Sequence, residues 1–429
     1  MSGHPDADQT PAPPQGVPQD YKRSLALLAT LFFMWGFITV INNTLLPHLR
    51  SVFALDYTRT TLIESVWFIA YALASMPSAF LIERVGYKRA IVIGLAIMAV
   101  GALGMIPAAR LPSYWITLVA LFVIAGGISL LQVAANPFVA VIGPAASAER
   151  RLTLVQAFNS MGTFCAPYFG GVLILGRTLS GTMAEGGEIT AEQRLADAHA
   201  TQLPYALVAV TLVILAWIFS RAKLPNLSGD GRRVDAEARK RLSLWNHRNL
   251  VLGVPAIFIY LIAEIGVANL FINFVARRDI GDMSHATAAN YLVLLWGGMM
   301  LGRFAGGFVM GRIRPERLLA GHAAFAFAMA IAAAALHGPP AMWALILIGL
   351  GHSIMFPTIF VLGIKGLGPL TEEGSGLLIT AIAGGALVVV QGWLADRVGL
   401  QPSFLLTAAC ELYVLFYALW GCKTSGETR

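Results

Sequence analysis

Amides and hydroxyls recur at helical spacing inside stretches of this chain that are otherwise oily. In the first such stretch Trp35, Thr39 and Asn43 follow at four-residue intervals and share one helix face, with Asn42 beside them. The fourth stretch offers Ser129, Gln132 and Asn136, and Pro137 leaves the Val133 carbonyl without its helical donor. The fifth offers Gln156, Asn159 and Thr163. An amide brings donors and acceptors without charge, which suits a neutral ligand rich in hydroxyls. Such residues also tie helices together by hydrogen bonds. Three polar faces in one half of the chain argue for a shared cavity, because hydrocarbon tolerates polar groups only beside water or a partner.

The second half carries charge instead. Glu264 stands in Ile262-Ala263-Glu264-Ile265-Gly266, followed by Asn269 and Asn273, which stack on each other. Glu264 and Asn269 are five residues apart, so both reach one cavity only where the helix bends or unwinds, and Gly266 is the expected place. A carboxylate near the middle of a membrane is protonated, cation-bound or open to water. His352 lies five residues before Pro357. A lone histidine on an apolar helix reads first as a satisfied core residue. Glu411 has no polar company at helical spacing and reads as structural, paired or near a boundary.

Signatures of catalysis are missing: there is no nucleophile context, no carboxylate pair at retaining or inverting spacing on one segment and no phosphate loop. Cys165, Cys410 and Cys422 sit in apolar stretches without metal or redox spacing. No enzyme activity and no cofactor are expected. Without a nucleotide-binding module, any pumping draws on an ion gradient.

Helices that cross a membrane must position these groups. Of 429 residues, 57% are hydrophobic and 12% charged, whereas a soluble protein is about a quarter charged. That excludes an ordinary soluble enzyme, a disordered protein and a nucleic-acid binder. A helix needs ~20 apolar residues to cross ~30 Å of hydrocarbon. Twelve stretches qualify: Ser24–Leu49, Thr61–Ile82, Ala90–Pro107, Ser113–Ile142, Thr153–Leu175, Leu203–Ser220, Leu250–Val275, Ala288–Met310, Arg317–His337, Met342–Ile364, Gly376–Leu394 and Pro402–Cys422. The expected fold class is an all-α membrane protein of twelve spans in two six-helix halves.

Basic residues set the orientation. Arg84, Lys88, Arg89, Arg150, Arg151, the run from Arg232 to Arg241, and Arg312 with Arg314 all fall on one side if the amino end is cytoplasmic. Both termini are therefore expected in the cytoplasm. Residues 1–23 form a proline-rich tail, expected to be disordered and no signal peptide. Residues 24–222 form the first bundle, 223–248 a basic linker, 249–422 the second bundle and 423–429 a tail. The linker reads as a positive anchor that could also meet acidic lipid headgroups. The acidic segment from Glu185 to Asp197 is expected to be a short exposed helix.

Several motifs then resemble a known group. The loop Glu83-Arg84-Val85-Gly86-Tyr87-Lys88-Arg89 resembles the signature of the major facilitator superfamily, with Glu in place of the usual Asp. Along nearly the whole membrane region the chain resembles the fucose–galactose–glucose:proton symporter family. The stretches that carry this are Phe32-Phe33-Met34-Trp35-Gly36-Phe37, Leu46-Pro47-His48, Ala134-Ala135-Asn136-Pro137, Gln156-Ala157-Phe158-Asn159-Ser160, Trp296-Gly297-Gly298, Gly302-Arg303-Phe304, Ser353 to Phe360 and Gly374-Ser375-Gly376. The resemblance implies a major-facilitator fold and a cation-coupled sugar importer working by alternating access, a multi-pass protein of a bacterial inner membrane.

It also implies roles. Asn43, Gln132, Asn136, Gln156 and Asn159 would bind sugar hydroxyls from the first half, and Asn269, Asn273 and His352 from the second. Trp35 and Trp296 would stack on a ring face. The proton-linked fucose member of that family has Asp where this chain has Asn43 and Glu where it has Gln132, so neither position titrates here. Coupling falls to Glu264, a position often Glu in the glucose/galactose members, or to His352, where Asn is expected in them. The coupled cation is H+ or Na+, and uncoupled facilitation stays open. Glu83, Arg84, Lys88, Arg89 and Arg303 would gate the cytoplasmic end or simply anchor topology. The expected partners are a small sugar and the bilayer, with no nucleic acid, and the chain is expected to be a monomer. The rival readings are an exporter of drugs or metabolites on the same fold and a transporter-like sensor. Which sugar is carried is not legible.

Overall fold

The computed structural model describes residues 21–53, 57–110, 113–173, 202–225 and 243–424. The amino-terminal tail, the acidic segment and the basic run of the linker lie outside the described residues, as does the side chain of Asn43. Every long described element is a helix. We number them α1 (Tyr21–Phe53), α2 (Tyr57–Val85), α3 (Tyr87–Arg110), α4 (Tyr114–Val141), α5 (Ala148–Leu173) and α6 (Gln202–Arg221). The second set is α7 (Arg248–Val275), α8 (His285–Val309), α9 (Pro315–Ala335), α10 (Gly338–Ile364), α11 (Gly368–Val398) and α12 (Phe404–Gly421). Among the described residues 11 segments are long and apolar enough to span a bilayer. The remaining long helix is α5, whose apolar run is diluted by Gln156, Asn159 and Ser160.

Large apolar side chains face outward: Leu73, Val119, Leu301 and Phe308 are each more than 60% exposed. In water such a surface would aggregate, whereas in a bilayer it is simply solvated. Within the first six helices α3 packs on α4 and α6, α1 on α5, and α2 on α4. Within the second six, α9 packs on α10 and α12, α8 on α10, and α7 on α10, α11 and α12. The two sets meet along α2–α11 and α5–α8. Small residues make this possible. A Cβ on Gly376 would come within 2.9 Å of the Ala79 Cβ and 3.3 Å of the Ser75 carbonyl, so α11 rests directly on α2.

Irregular backbone falls in different places from those expected. Helix α7 runs unbroken from Arg248 to Val275, so there is no unwinding at Gly266. Gly266 instead makes room for the Gln391 amide of α11. The interruptions are in α10 and α11. Helix α10 breaks between His352 and Met355, because Pro357 has no N–H for the Ser353 carbonyl four residues earlier. Helix α11 starts eight residues before the expected Gly376 and tightens to a 3-10 helix over Ala381–Leu387. Gly384, within it, sits against the Phe258 carbonyl of α7. The motif between α2 and α3 is less a loop than a single joint at Gly86, whose φ of 82° is open to glycine. Helix resumes at once with Tyr87.

Candidate functional site

The surfaces where the two sets of helices meet are knitted by polar bonds that start from prolines. Pro137 leaves the Val133 carbonyl of α4 free, and Ser375 Oγ from α11 donates to it at 3.1 Å. Pro357 leaves the Ser353 carbonyl of α10 free, and Arg303 Nε from α8 donates to it at 2.9 Å. The same guanidinium reaches across to α5, donating through Nη1 to Ser160 Oγ at 2.5 Å and to the Gln156 carbonyl at 3.4 Å. Arg303 is buried. It therefore links the break in α10 to the opposite set of helices. Lower on the same seam, Tyr87 donates to Glu372 Oε1 at 2.9 Å, and the Phe158 and Phe304 rings meet edge to face at 5.8 Å.

Uncharged side chains fill the contacts among α2, α4 and α5, while the buried Arg151 is spent on the Val139, Ala140 and Pro144 carbonyls beside the end of α4. Gln132 is buried and donates to the Tyr71 hydroxyl of α2, and Ser75 bonds Ser129 at 2.9 Å. Gln156 donates to Asn136 Oδ1 at 3.4 Å. Asn136 Nδ2 is buried with no partner among the described residues. Its donor capacity is unspent, and an unmet amide in a dry site costs about 1–3 kcal/mol. Asn159 is placed differently: its Nδ2 donates to the Phe32 carbonyl at 2.9 Å, tying α5 to α1. Trp35 is buried, and its ring packs against Phe32 with centroids 5.2 Å apart.

The second half gathers its ionisable groups around one tyrosine. Tyr260 of α7 is fully buried and donates to the His352 carbonyl at 3.3 Å, while its ring meets the His352 ring edge on. Glu264, one helical turn on, is partly buried and interacts with both Tyr260 and Arg303. His352 Nε2 lies 2.7 Å from Glu411 Oε1, a pair that is 2% and 0% exposed. His352 Nε2 and Glu411 Oε1 thus satisfy each other. Asn269 and Asn273 are exposed on α7, and Trp296 of α8 is partly buried.

Of the candidate gating residues, Arg303 lies on the seam, whereas Arg84 and Arg89 are exposed and Glu83 and Lys88 half-buried at the Gly86 joint. The motif reaches the second half through Tyr87. That residue, Tyr71, Tyr260 and Ser375 were not singled out as chemistry-bearing in the sequence. Tyr260 had a usable signal, since it precedes Glu264 by one turn. Tyr71 and Tyr87 had none, because their partners are distant in sequence. Among the described residues no cluster of three or more His, Cys, Asp or Glu could hold a metal ion.

A family model described as the Major Facilitator Superfamily matches residues 26–377. The chain is 43% identical over 407 residues to a glucose/galactose transporter of Brucella abortus, covering 95% of this chain and 96% of that protein. It is 33% identical over 419 residues to an L-fucose-proton symporter of Escherichia coli strain K12, covering 96% and 95%. A crystal structure of the transporter FucP in the outward conformation superposes with a TM-score of 0.83 at 33% identity, over 93% of this chain and 99% of that one.

Proposed function

The chain belongs to the major facilitator superfamily, and from that premise we propose that it is a proton-coupled sugar symporter working by alternating access. Similarity to a glucose/galactose transporter over 95% of the chain carries this reading. A hexose, a deoxyhexose or an amino sugar is the cargo. The amides of α4 and α5 are neutral and pre-ordered, as recognition of hydroxyls requires. Asn43, Gln132, Asn136 and Gln156 bind from the first half, and Trp296 supplies an apolar face from the second. Asn159 and Trp35 hold α1 against α5 and so fix the first half's shape.

Both termini lie in the cytoplasm of a bacterial inner membrane, and the protein works as a monomer of two six-helix bundles, 24–222 and 249–422. The seam made by Tyr87, Glu372, Ser375 and Arg303 then closes the cytoplasmic end. That agrees with the outward conformation of the similar crystal structure. Glu264 is the cavity-side coupling carboxylate, since Asn43 and Gln132 cannot titrate.

Reconstituted vesicles test the reading with D-glucose, D-galactose, L-fucose and N-acetylglucosamine under separately imposed pH and sodium gradients. An inward proton gradient alone should drive accumulation of at least one of these sugars. Exchange without accumulation under either gradient would leave a passive facilitator, and no exchange of any sugar would overturn the transport reading.

A further inference from the structure

Glu411 is a fully buried carboxylate without an assigned task. One oxygen meets His352 Nε2 at 2.7 Å. The other, Oε2, is buried with no partner among the described residues. Such a pair is neutral overall when it shares one proton. The open Oε2 lone pair is then a place for a second proton, and taking it turns the pair into an acid beside an imidazolium.

The surroundings give that added charge a consequence. From α7, Tyr260 packs edge on to the His352 ring, with Glu264 beyond it. From α8, Arg303 bonds the carbonyl of the next residue, Ser353. From α9, His322 Nδ1 lies 3.1 Å from the Gly351 carbonyl, on the other side. On α12 itself Cys410 is the neighbour, and α5 contributes only the uncharged Gln156 and Ser160, through Arg303. A second proton therefore places positive charge one residue from the carbonyl that Arg303 holds and against the ring of Tyr260, which Glu264 also meets.

We propose that the buried Glu411–His352 pair is the site that holds the transported proton, and that loading it weakens the Arg303 lock across to α5. This rests on the transport reading above. In the loading step Glu411 Oε2–H forms and an O–H bond of hydronium breaks, leaving water. Glu264 supplies the negative potential that draws the proton to this depth. The cationic pair then repels Arg303, whose bonds to Ser160 and Gln156 lengthen as the closed end opens. Release to the cytoplasm restores the neutral pair and the lock.

The test uses the full-length protein in vesicles with whichever of D-glucose, D-galactose and L-fucose exchanges fastest. Glu411→Gln retains a hydrogen-bonding side chain of the same shape but cannot take the proton. Its accumulation under an imposed pH gradient should fall to the equilibrium level, while counterflow of labelled sugar persists. Purified wild-type protein should take up protons when sugar is added, read with a pH dye in weak buffer, and Glu411→Gln should not. The proposal is overturned if Glu411→Gln still accumulates sugar and still takes up protons, or if only a sodium gradient drives the wild type. It is equally overturned if sugar evokes no proton uptake by the wild type, a result that needs no variant to fold. Absence of wild-type counterflow with all three sugars would instead count against sugar transport itself.

Discussion

Helices α4 and α10 meet the same chemical problem and solve it differently. Each contains a proline that strips the donor from a carbonyl one turn earlier. In α4 the helix continues through Pro137, and a serine from the opposite half fills the gap. In α10 the helix breaks, and a buried arginine from its own half fills the gap while also gripping α5. The contrast extends to the surroundings. Amides and hydroxyls bonded to one another surround α4. A tyrosine, two histidines, an arginine and two glutamates surround the break in α10. The neutral half is suited to recognising a sugar without changing its charge. The charged half, with its interrupted helix, is suited to converting protonation into movement.

The sharpest way to break this division is Glu264→Gln. If charge in the second half drives coupling, accumulation of sugar against a gradient should vanish, while counterflow of labelled sugar continues. Normal accumulation by the variant would remove Glu264 from the coupling machinery. The complementary change gives the first half the charges it lacks. Asn43→Asp combined with Gln132→Glu should introduce a strong pH dependence, with exchange changing about tenfold across one to two pH units near the carboxylate range. A flat pH profile would mean that the first half no longer has the geometry to use a carboxylate.

Much of this division could be read in the sequence, and the parts that could not have a common cause. Among the described residues 11 spans follow from apolar length alone, because a membrane imposes one dimension on every helix, whereas α5 does not. The free Val133 carbonyl follows from Pro137, a local covalent fact. The same rule applied to Pro357 gives the free Ser353 carbonyl, but not that α10 would break there while α4 would not. Nor does it give the donor, since Arg303 arrives from another helix. Gly266 was a reasonable place for a bend in α7, yet it serves close approach by Gln391. Asn159 and Trp35 share helical faces with polar neighbours, but their partner is Phe32. Periodicity tells which residues share a face and says nothing about what that face touches.

Smaller effects sharpen the comparison at the seam. Ser375→Ala leaves the Val133 carbonyl without its donor from the opposite half. The expected loss is about 1 kcal/mol of closed-state stability, or roughly fivefold in the conformational equilibrium. Ala79→Cys provides the readout, since Ala79 is fully buried where Gly376 of α11 rests on α2. Its labelling by a water-soluble maleimide should accelerate when Ser375 loses its hydroxyl. Unchanged labelling would show that the bond to Val133 does not hold the halves together.

Tyr87→Phe should have the smallest effect. The variant keeps the ring packed against Phe138, whose centroid lies 5.6 Å away, and removes only the hydroxyl that donates to Glu372. Such a bond contributes about 0.5–1.5 kcal/mol. Half-buried Glu372 regains water when the hydroxyl is removed, so the lower end of that range applies. Labelling of Ala79→Cys should rise by less than in Ser375→Ala. The ranking follows from burial: Ser375 is fully buried and the Val133 carbonyl has nowhere else to turn, whereas half-buried Glu372 can be hydrated. If Tyr87→Phe opened the seam more than Ser375→Ala, the joint at Gly86 would be the principal lock. The charged residues around that joint, Glu83, Arg84, Lys88 and Arg89, would then govern closure, and the second half would lose its claim to control the movement.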